Sequence, residues 1–304
     1  MTTLREKLVG PRPLLLDGAT GTELARRGID TGLPLWSAHA LASEHGRTVL
    51  AVIHADYARA GADVLTANTF RTTPRALARA GRENDWTLLN RRAVGIARAA
   101  ANATGGRPGA TALVAGSIAP LEDCYRPDLV PPQADCRREH LRQADLLARL
   151  GVDLILIETM NTTREAVAAV AAARALGIDA LVSLCPDASG ALLSGEPLAE
   201  AASRVLDAGG DRVAGVLLNC AGPDILEAAV PALRAAAGGL LFGVYAHLGE
   251  PDPVTGWRLP REHDPESYAA WAGRCVREGA RLIGGCCGTT PDHIAAIARR
   301  LSSA

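Results

Sequence analysis

A single (β/α)8 (TIM) barrel is the fold class that this 304-residue sequence predicts, on three observations. Short apolar, β-branched runs alternate with longer alanine- and arginine-rich stretches of helical spacing, the pattern of a parallel sheet covered on both faces. Eight such runs occur, the number a closed barrel requires. No G-x-G-x-x-G follows the first run, so an open dinucleotide-binding sheet loses its main support, although periodicity alone does not show closure.

In chain order the runs are "PLLLDGAT" (13–20), "ADVLTANTF" (62–70), "ALVAGSIAP" (112–120), "DLILIETM" (153–160), "ALVSLCP" (180–186), "VAGVLLNC" (213–220), "LLFGVYAHL" (240–248) and "ARLIGGCCG" (280–288). Amphipathic stretches such as 48–62 and 164–178 lie between them, and the last helix opens at Pro291-Asp292, a favourable start. Four helices run into "AGAD", "LGVD", "LGID" or "EGAR", where glycine permits a left-handed C-cap. Two connections exceed plain barrel loops, 121–140 after the third strand and 249–267 after the seventh; both are rich in Pro, Asp and Arg. Long loops at strand C-termini usually cover a site. No linker divides residues 1–304, so one domain is expected.

Composition narrows the function. Hydrophobic residues make up 48%, but only 4 Trp, 4 Tyr and 2 Phe are present, so aliphatic and alanine packing must fill the core. With 32 basic against 33 acidic residues, a general electrostatic grip on nucleic acid or anionic lipid is not expected. The N-terminus lacks the apolar region of a signal peptide and no run reaches membrane-spanning length. Seven cysteines without an export signal fit a cytoplasmic protein with reduced thiols, where clustered cysteines point to metal or catalysis.

In a barrel the chemistry sits at the C-terminal ends of the strands. The polar residues collect there: Asp17 and Thr20 on the first run, Asn68 and Thr69 on the second, Ser117 on the third, Glu158 on the fourth, Asn219 and Cys220 on the sixth, Cys286 and Cys287 on the eighth. Three thiols from two strands can converge, and three thiolates with an open fourth position suit a catalytic zinc ion. Glycines on both sides of the double cysteine would permit the backbone turn. Spacing alone leaves alternatives: buried thiols acting as small hydrophobes, or a redox sensor built on Cys286 and Cys287. For Asp17 the alternative is a turn or cap residue; Asn68 and Asn219 can be structural, bonding loop backbone. Glu158, ending an apolar run, must find a partner.

The motifs "DGATGTEL" (17–24), "ANTF" (67–70), "ETM" (158–160), "LNC" (218–220) and "GGCCGTTPDHI" (284–294) together resemble the homocysteine S-methyltransferase family, in its order and spacing. The resemblance implies a (β/α)8 barrel with Zn2+ held by Cys220, Cys286 and Cys287. It implies methyl transfer to the thiol of homocysteine, giving methionine. Glu158, with Asp17 beside it, would anchor the acceptor's ammonium group, while backbone N–H groups around Gly18 to Gly21, with Thr20, would hold its carboxylate; Asn219 is a further candidate for the pocket. The small-molecule partners are then homocysteine and a methyl donor, with no nucleic acid or membrane.

The chain ends soon after the last helix, so a folate- or cobalamin-binding module is not expected. That leaves S-methylmethionine, S-adenosylmethionine or a betaine as donor, with S-methylmethionine first. Asp123, Tyr125, Glu250, Asp252 and Trp257 in the two long loops suit a cationic donor, Trp257 through cation–π attraction, although each is equally readable as part of a lid or an oligomer contact, and a core or lid tryptophan is the commoner reading of Trp257. His247 stands where relatives that use S-methylmethionine commonly carry Asn, and the 121–132 loop also departs from their form. Another thiol or selenol acceptor, or a corrinoid-linked donor, is the alternative. Cys124, Cys136, Cys185 and Cys275 are expected to pack or face solvent, with Cys124 in a lid; His39, His45, His54, His140, His263 and His293 read as ordinary.

Overall fold

The computed structural model describes residues 3–103, 111–252, 254, 256–259 and 264–302. Every apolar run contains a strand: β1 Leu14–Leu15, β2 Val64–Ala67, β3 Leu113–Ile118, β4 Leu154–Met160, β5 Ala180–Leu184, β6 Val213–Asn219, β7 Phe242–Tyr245 and, after a separate hairpin of β8 Glu250–Asp252 and β9 Gly256–Arg258, β10 Leu282–Ile283. The barrel strands are parallel in the order β1-β10-β7-β6-β5-β4-β3-β2. The seam between β1 and β2 is closed by a bridge of Leu16 to Val64, with Asp63 N–H donating to Leu15 C=O at 2.7 Å and Asp17 N–H to Val64 C=O at 3.1 Å. Closure, which periodicity could not show, is thus supplied by backbone bonds.

Strand side chains alternate between two cores. Leu15, Val114, Ile155 and Ile157 face the helical shell, while Leu14, Leu16, Leu113, Leu154, Leu156 and Leu217 fill the barrel interior. A short helix, Leu4–Leu8, closes one end; Thr3 and Glu6 form its capping box, and Leu4 and Leu8 join the interior cluster. The expected glycine caps are present: Gly61, Gly151, Gly177 and Gly279 all have positive φ, from 69 to 102°. Following the same parity towards the strand C-termini, the interior positions become Thr66, Ser117, Glu158, Ser183, Asn219 and Tyr245. Apolar filling below and polar groups above place a site at one end.

The expected long loops are there but shorter than 121–140 and 249–267, because residues 133–140 and 265–267 already belong to helices. Residues 121–132 pass over the strand ends before the helix Gln133–Arg149, and the 249–267 segment carries the β8–β9 hairpin. Residues 253, 255 and 260–263 of that segment, His263 among them, lie outside the described residues.

Candidate active site

The strand ends open into a cavity of about 360 Å3, lined by Asp17, Gly18, Thr20, Glu158, Cys220, Cys286 and Cys287. The three thiols come together: their sulfurs all lie within 4.8 Å of one another, with Cys286 Sγ 3.4 Å from Cys220 Sγ. Cys220 is turned towards the other two by a left-handed backbone, φ 57°, rare for a residue with a side chain. The segment after β10 is tied down by Cys286 N–H on Ala246 C=O at 2.9 Å, Leu248 N–H on Cys287 C=O at 2.7 Å and Gly285 N–H on Asp17 C=O at 3.1 Å. Only Gly288 of the flanking glycines has positive φ, 85°. Gly284 and Gly285 serve close approach instead: a Cβ on them would meet Leu16 Cβ at 2.7 Å and Thr289 Oγ1 at 2.3 Å. The expected turn-making role therefore holds on one side of the double cysteine and not on the other.

The Cys220 thiol is pushed well above its ordinary pKa, first by its hydrogen bond with Cys286 and then by burial. Three thiols this close cannot all ionise without a cation among them. The donor set, sulfur only and three in number, fits a thiophilic metal with a position left for a ligand. Tyr125, from the loop after β3, places its hydroxyl 2.9 Å from Cys220 Sγ. All seven cysteines are free thiols, and the Cys286–Cys220 contact joins residues at the ends of two different strands.

Two carboxyls share the cavity with the thiols. Asp17 accepts from Thr66 N–H and Thr66 Oγ1, both at 2.7 Å, and burial raises its pKa to about 7 against those bonds. Glu158 accepts from Ser117 Oγ; burial, aided by the charge of Asp17, raises its carboxyl to about 7. Carboxyls raised by burial are poised for a cationic ligand, whose charge would return them to the ionised form. Gly18 and Thr20 line the adjoining wall; the neighbouring Ala19 N–H is already taken by Thr289 Oγ1 at 3.2 Å.

Asn219 is wholly buried and outside the cavity lining. Its Oδ1 accepts from Thr159 N–H at 3.0 Å and Ser183 Oγ at 2.7 Å, while Nδ2 donates to Thr159 Oγ1 at 2.9 Å and points at Cys286 Sγ at 3.9 Å. Thr159 itself is left-handed, φ 61°, where the register of β4 against β5 shifts. Asn219 thus fixes the bulge that aims Glu158, and ties it to the cysteines. Asn68 bonds Ser37 at both ends, Ser37 Oγ donating to its Oδ1 at 2.6 Å and its Nδ2 donating to Ser37 C=O at 2.9 Å, which holds the Trp36 segment over the cavity. Thr69 Oγ1 donates to Ser117 C=O at 2.8 Å.

The two long loops meet at the rim: the Tyr125 and Trp257 rings lie 6.4 Å apart, and His247 stands edge-on to Trp257 at 5.0 Å. Burial lowers His247 to about 4, so it is neutral. Asp123, Asp252 and Trp257 line the cavity, whereas Glu250 is exposed and pairs with Arg258 at 3.8 Å. Cys124 lines the cavity with a thiol raised to about 12 by burial; Cys136, Cys185 and Cys275 are buried in packing. Sequence reasoning missed Thr66 and Ser183, although strand parity marks both, and missed Trp36 and Arg71, which follow no strand pattern.

A sequence profile of homocysteine S-methyltransferases matches residues 14–301. The homocysteine S-methyltransferase of Escherichia coli (strain K12) is 33% identical, the alignment covering 94% of each chain. Homocysteine S-methyltransferase 4 of Zea mays is 30% identical over 95% of this chain and 90% of that one, and a selenocysteine methyltransferase of Astragalus bisulcatus 28% over 96% and 93%. The crystal structure of the E. coli homocysteine methyltransferase MmuM in its metallated form superposes with a TM-score of 0.84 at 31% identity, covering 98% and 99% of the two chains.

Proposed function

Because the chain belongs to the homocysteine S-methyltransferase family, we propose that it moves a methyl group from a sulfonium donor to the thiol of L-homocysteine, giving methionine, at a Zn2+ ion held by Cys220, Cys286 and Cys287. The observation that carries this reading is one cavity shared by three sulfurs within 4.8 Å of one another and two carboxyls raised by burial to about 7. Bound zinc would lower the pKa of the acceptor thiol and keep its sulfur nucleophilic at neutral pH.

The remaining work belongs to the chain. Glu158 and Asp17 bind the acceptor's ammonium group, fixing the direction in which its side chain reaches the cysteines. Gly18 and Thr20 border the carboxylate. Asn219 acts as a support, holding the Thr159 bulge. Trp36, Tyr125 and Trp257 exclude water and face the cationic donor. The acceptor sulfur attacks the methyl carbon in line; the new S–C bond forms as the old one breaks, the sulfonium leaves as a neutral thioether, and the acceptor's thiol proton goes to solvent. Positioning and charge placement are the protein's share.

Purified protein assayed with homocysteine and each donor separately, with methionine followed by mass spectrometry and metal by elemental analysis, tests the reading. Activity is expected with S-methylmethionine ahead of S-adenosylmethionine; methionine formed only from methylfolate or methylcobalamin would overturn the donor assignment. The selenocysteine methyltransferase relative makes a selenol the second acceptor to assay. Among the described residues no helix is long and apolar enough to cross a membrane.

A further inference from the structure

The cavity lining holds four carboxylate side chains, Asp17, Asp123, Glu158 and Asp252, and two arginines. Arg126 is exposed and pairs with Asp128 at 2.6 Å. Arg71 is different. It is half-buried beside Phe70, its guanidinium 5.5 Å from that ring, and Nη1 donates to the Glu122 carbonyl at 3.0 Å. Its buried Nε has no hydrogen-bond partner, and among the described residues it forms no ion pair. The carboxylate of Glu122, whose carbonyl it holds, is taken by Arg75 at 3.0 Å and by Arg79. A half-buried guanidinium in the cavity lining, with a donor unused and no ion pair among the described residues, is available to a ligand, and its planar fork matches a carboxylate.

The position says whose carboxylate. Arg71 is anchored to the loop after β3, and the same loop delivers Tyr125 to Cys220. Arg71 and Cys124 of that loop line the same cavity. Arg71 is therefore tied to the loop side of the cavity. We propose that Arg71 binds the α-carboxylate of the methyl donor, so that the site selects sulfonium compounds of the amino-acid class. This rests on the sulfonium reading above and adds what that reading leaves open, the recognition of the donor's distal end.

The zinc-loaded protein and its Arg71→Gln and Arg71→Lys variants, checked for metal content and melting temperature, are assayed with homocysteine and three donors: S-methyl-L-methionine, its α-carboxamide, and trimethylsulfonium. Binding of each donor to wild type is measured in parallel by calorimetry. Arg71→Gln should raise the KM for S-methylmethionine roughly ten- to hundred-fold, the worth of a charge-assisted hydrogen bond. Arg71→Lys should recover part of it. The carboxamide and trimethylsulfonium should be poor donors for wild type and change little in the variants, with homocysteine KM unmoved. An equal loss for acid and amide, or a rise confined to homocysteine KM, overturns the assignment while wild-type turnover of S-methylmethionine keeps the donor reading. If wild type neither binds nor uses any sulfonium, both fall together.

Discussion

Replacing Glu158 by Gln isolates the charge on the acceptor wall. Ser117 Oγ occupies Oε1, leaving Oε2 to receive an ammonium group. Glutamine preserves the shape and can still accept from Ser117, but presents an N–H₂ where the ligand needs an acceptor. The loss is that of one charge-assisted hydrogen bond, about 1.5–3 kcal/mol, or roughly a ten- to 150-fold rise in homocysteine KM. A second signature follows from pH. With the carboxyl raised to about 7, the acid form dominates below that value and the ionised form above it. Homocysteine KM in wild type should fall as pH rises from about 6 to 8; in Glu158→Gln the remaining slope is that of Asp17 and the acceptor alone. Initial rates with varied homocysteine at saturating S-methylmethionine, with zinc content measured on the same samples, give both numbers. A variant with full zinc, unchanged homocysteine KM and the wild-type pH profile would remove Glu158 from the acceptor site.

Three further outcomes are expected. Elemental analysis should find one zinc per chain, lost in each of Cys220→Ser, Cys286→Ser and Cys287→Ser with far-UV circular dichroism preserved, because the aliphatic core does not involve the metal; a variant that retains zinc excludes that cysteine as a ligand. Asn219→Ala leaves the buried Thr159 and Ser183 groups without partners, so urea unfolding should show a loss of ~1–3 kcal/mol or more together with a raised homocysteine KM, and an unchanged midpoint would refute the bracing role. Asp17 binds its proton more tightly folded than unfolded, so its contribution to stability is greatest below about pH 4 and diminishes as pH rises to about 7; the melting temperature of metal-free Asp17→Asn should decline less than wild type over that window, and parallel curves would contradict it.

The barrel was legible because each strand is buried on both faces, which writes an uninterrupted apolar run into the sequence; all eight runs contain one. The thiol cluster was legible because cysteines at strand ends are chemically conspicuous. The supporting groups were not, for a physical reason. Asn219 looks like a pocket residue from its place beside Cys220, and only the left-handed turn at Thr159 shows that its amide is engaged on every side. Thr66 and Ser183 are ordinary strand formers whose meaning comes from which face they share. The helix Leu4–Leu8 has too few residues to show a period, and the β8–β9 hairpin pairs three residues on each side around Pro251, too short for alternation to register. Arg71 carries no pattern, since its significance lies in the partner it lacks.

The groups that line the cavity have two origins in the chain. Thiols and carboxyls stand at or next to the ends of strands locked into a closed sheet, while Tyr125, Asp123, Asp252 and Trp257 ride on two contiguous excursions that take no part in the hydrogen bonds between barrel strands. The loops' share of donor preference is therefore free to diversify through insertion, deletion or grafting of segments 121–132 and 249–259, with Arg71 and the nucleophile's half of the chemistry inherited intact. Relatives that share the strand-end residues and differ in these segments should form a series in which the leaving group varies and the acceptor does not.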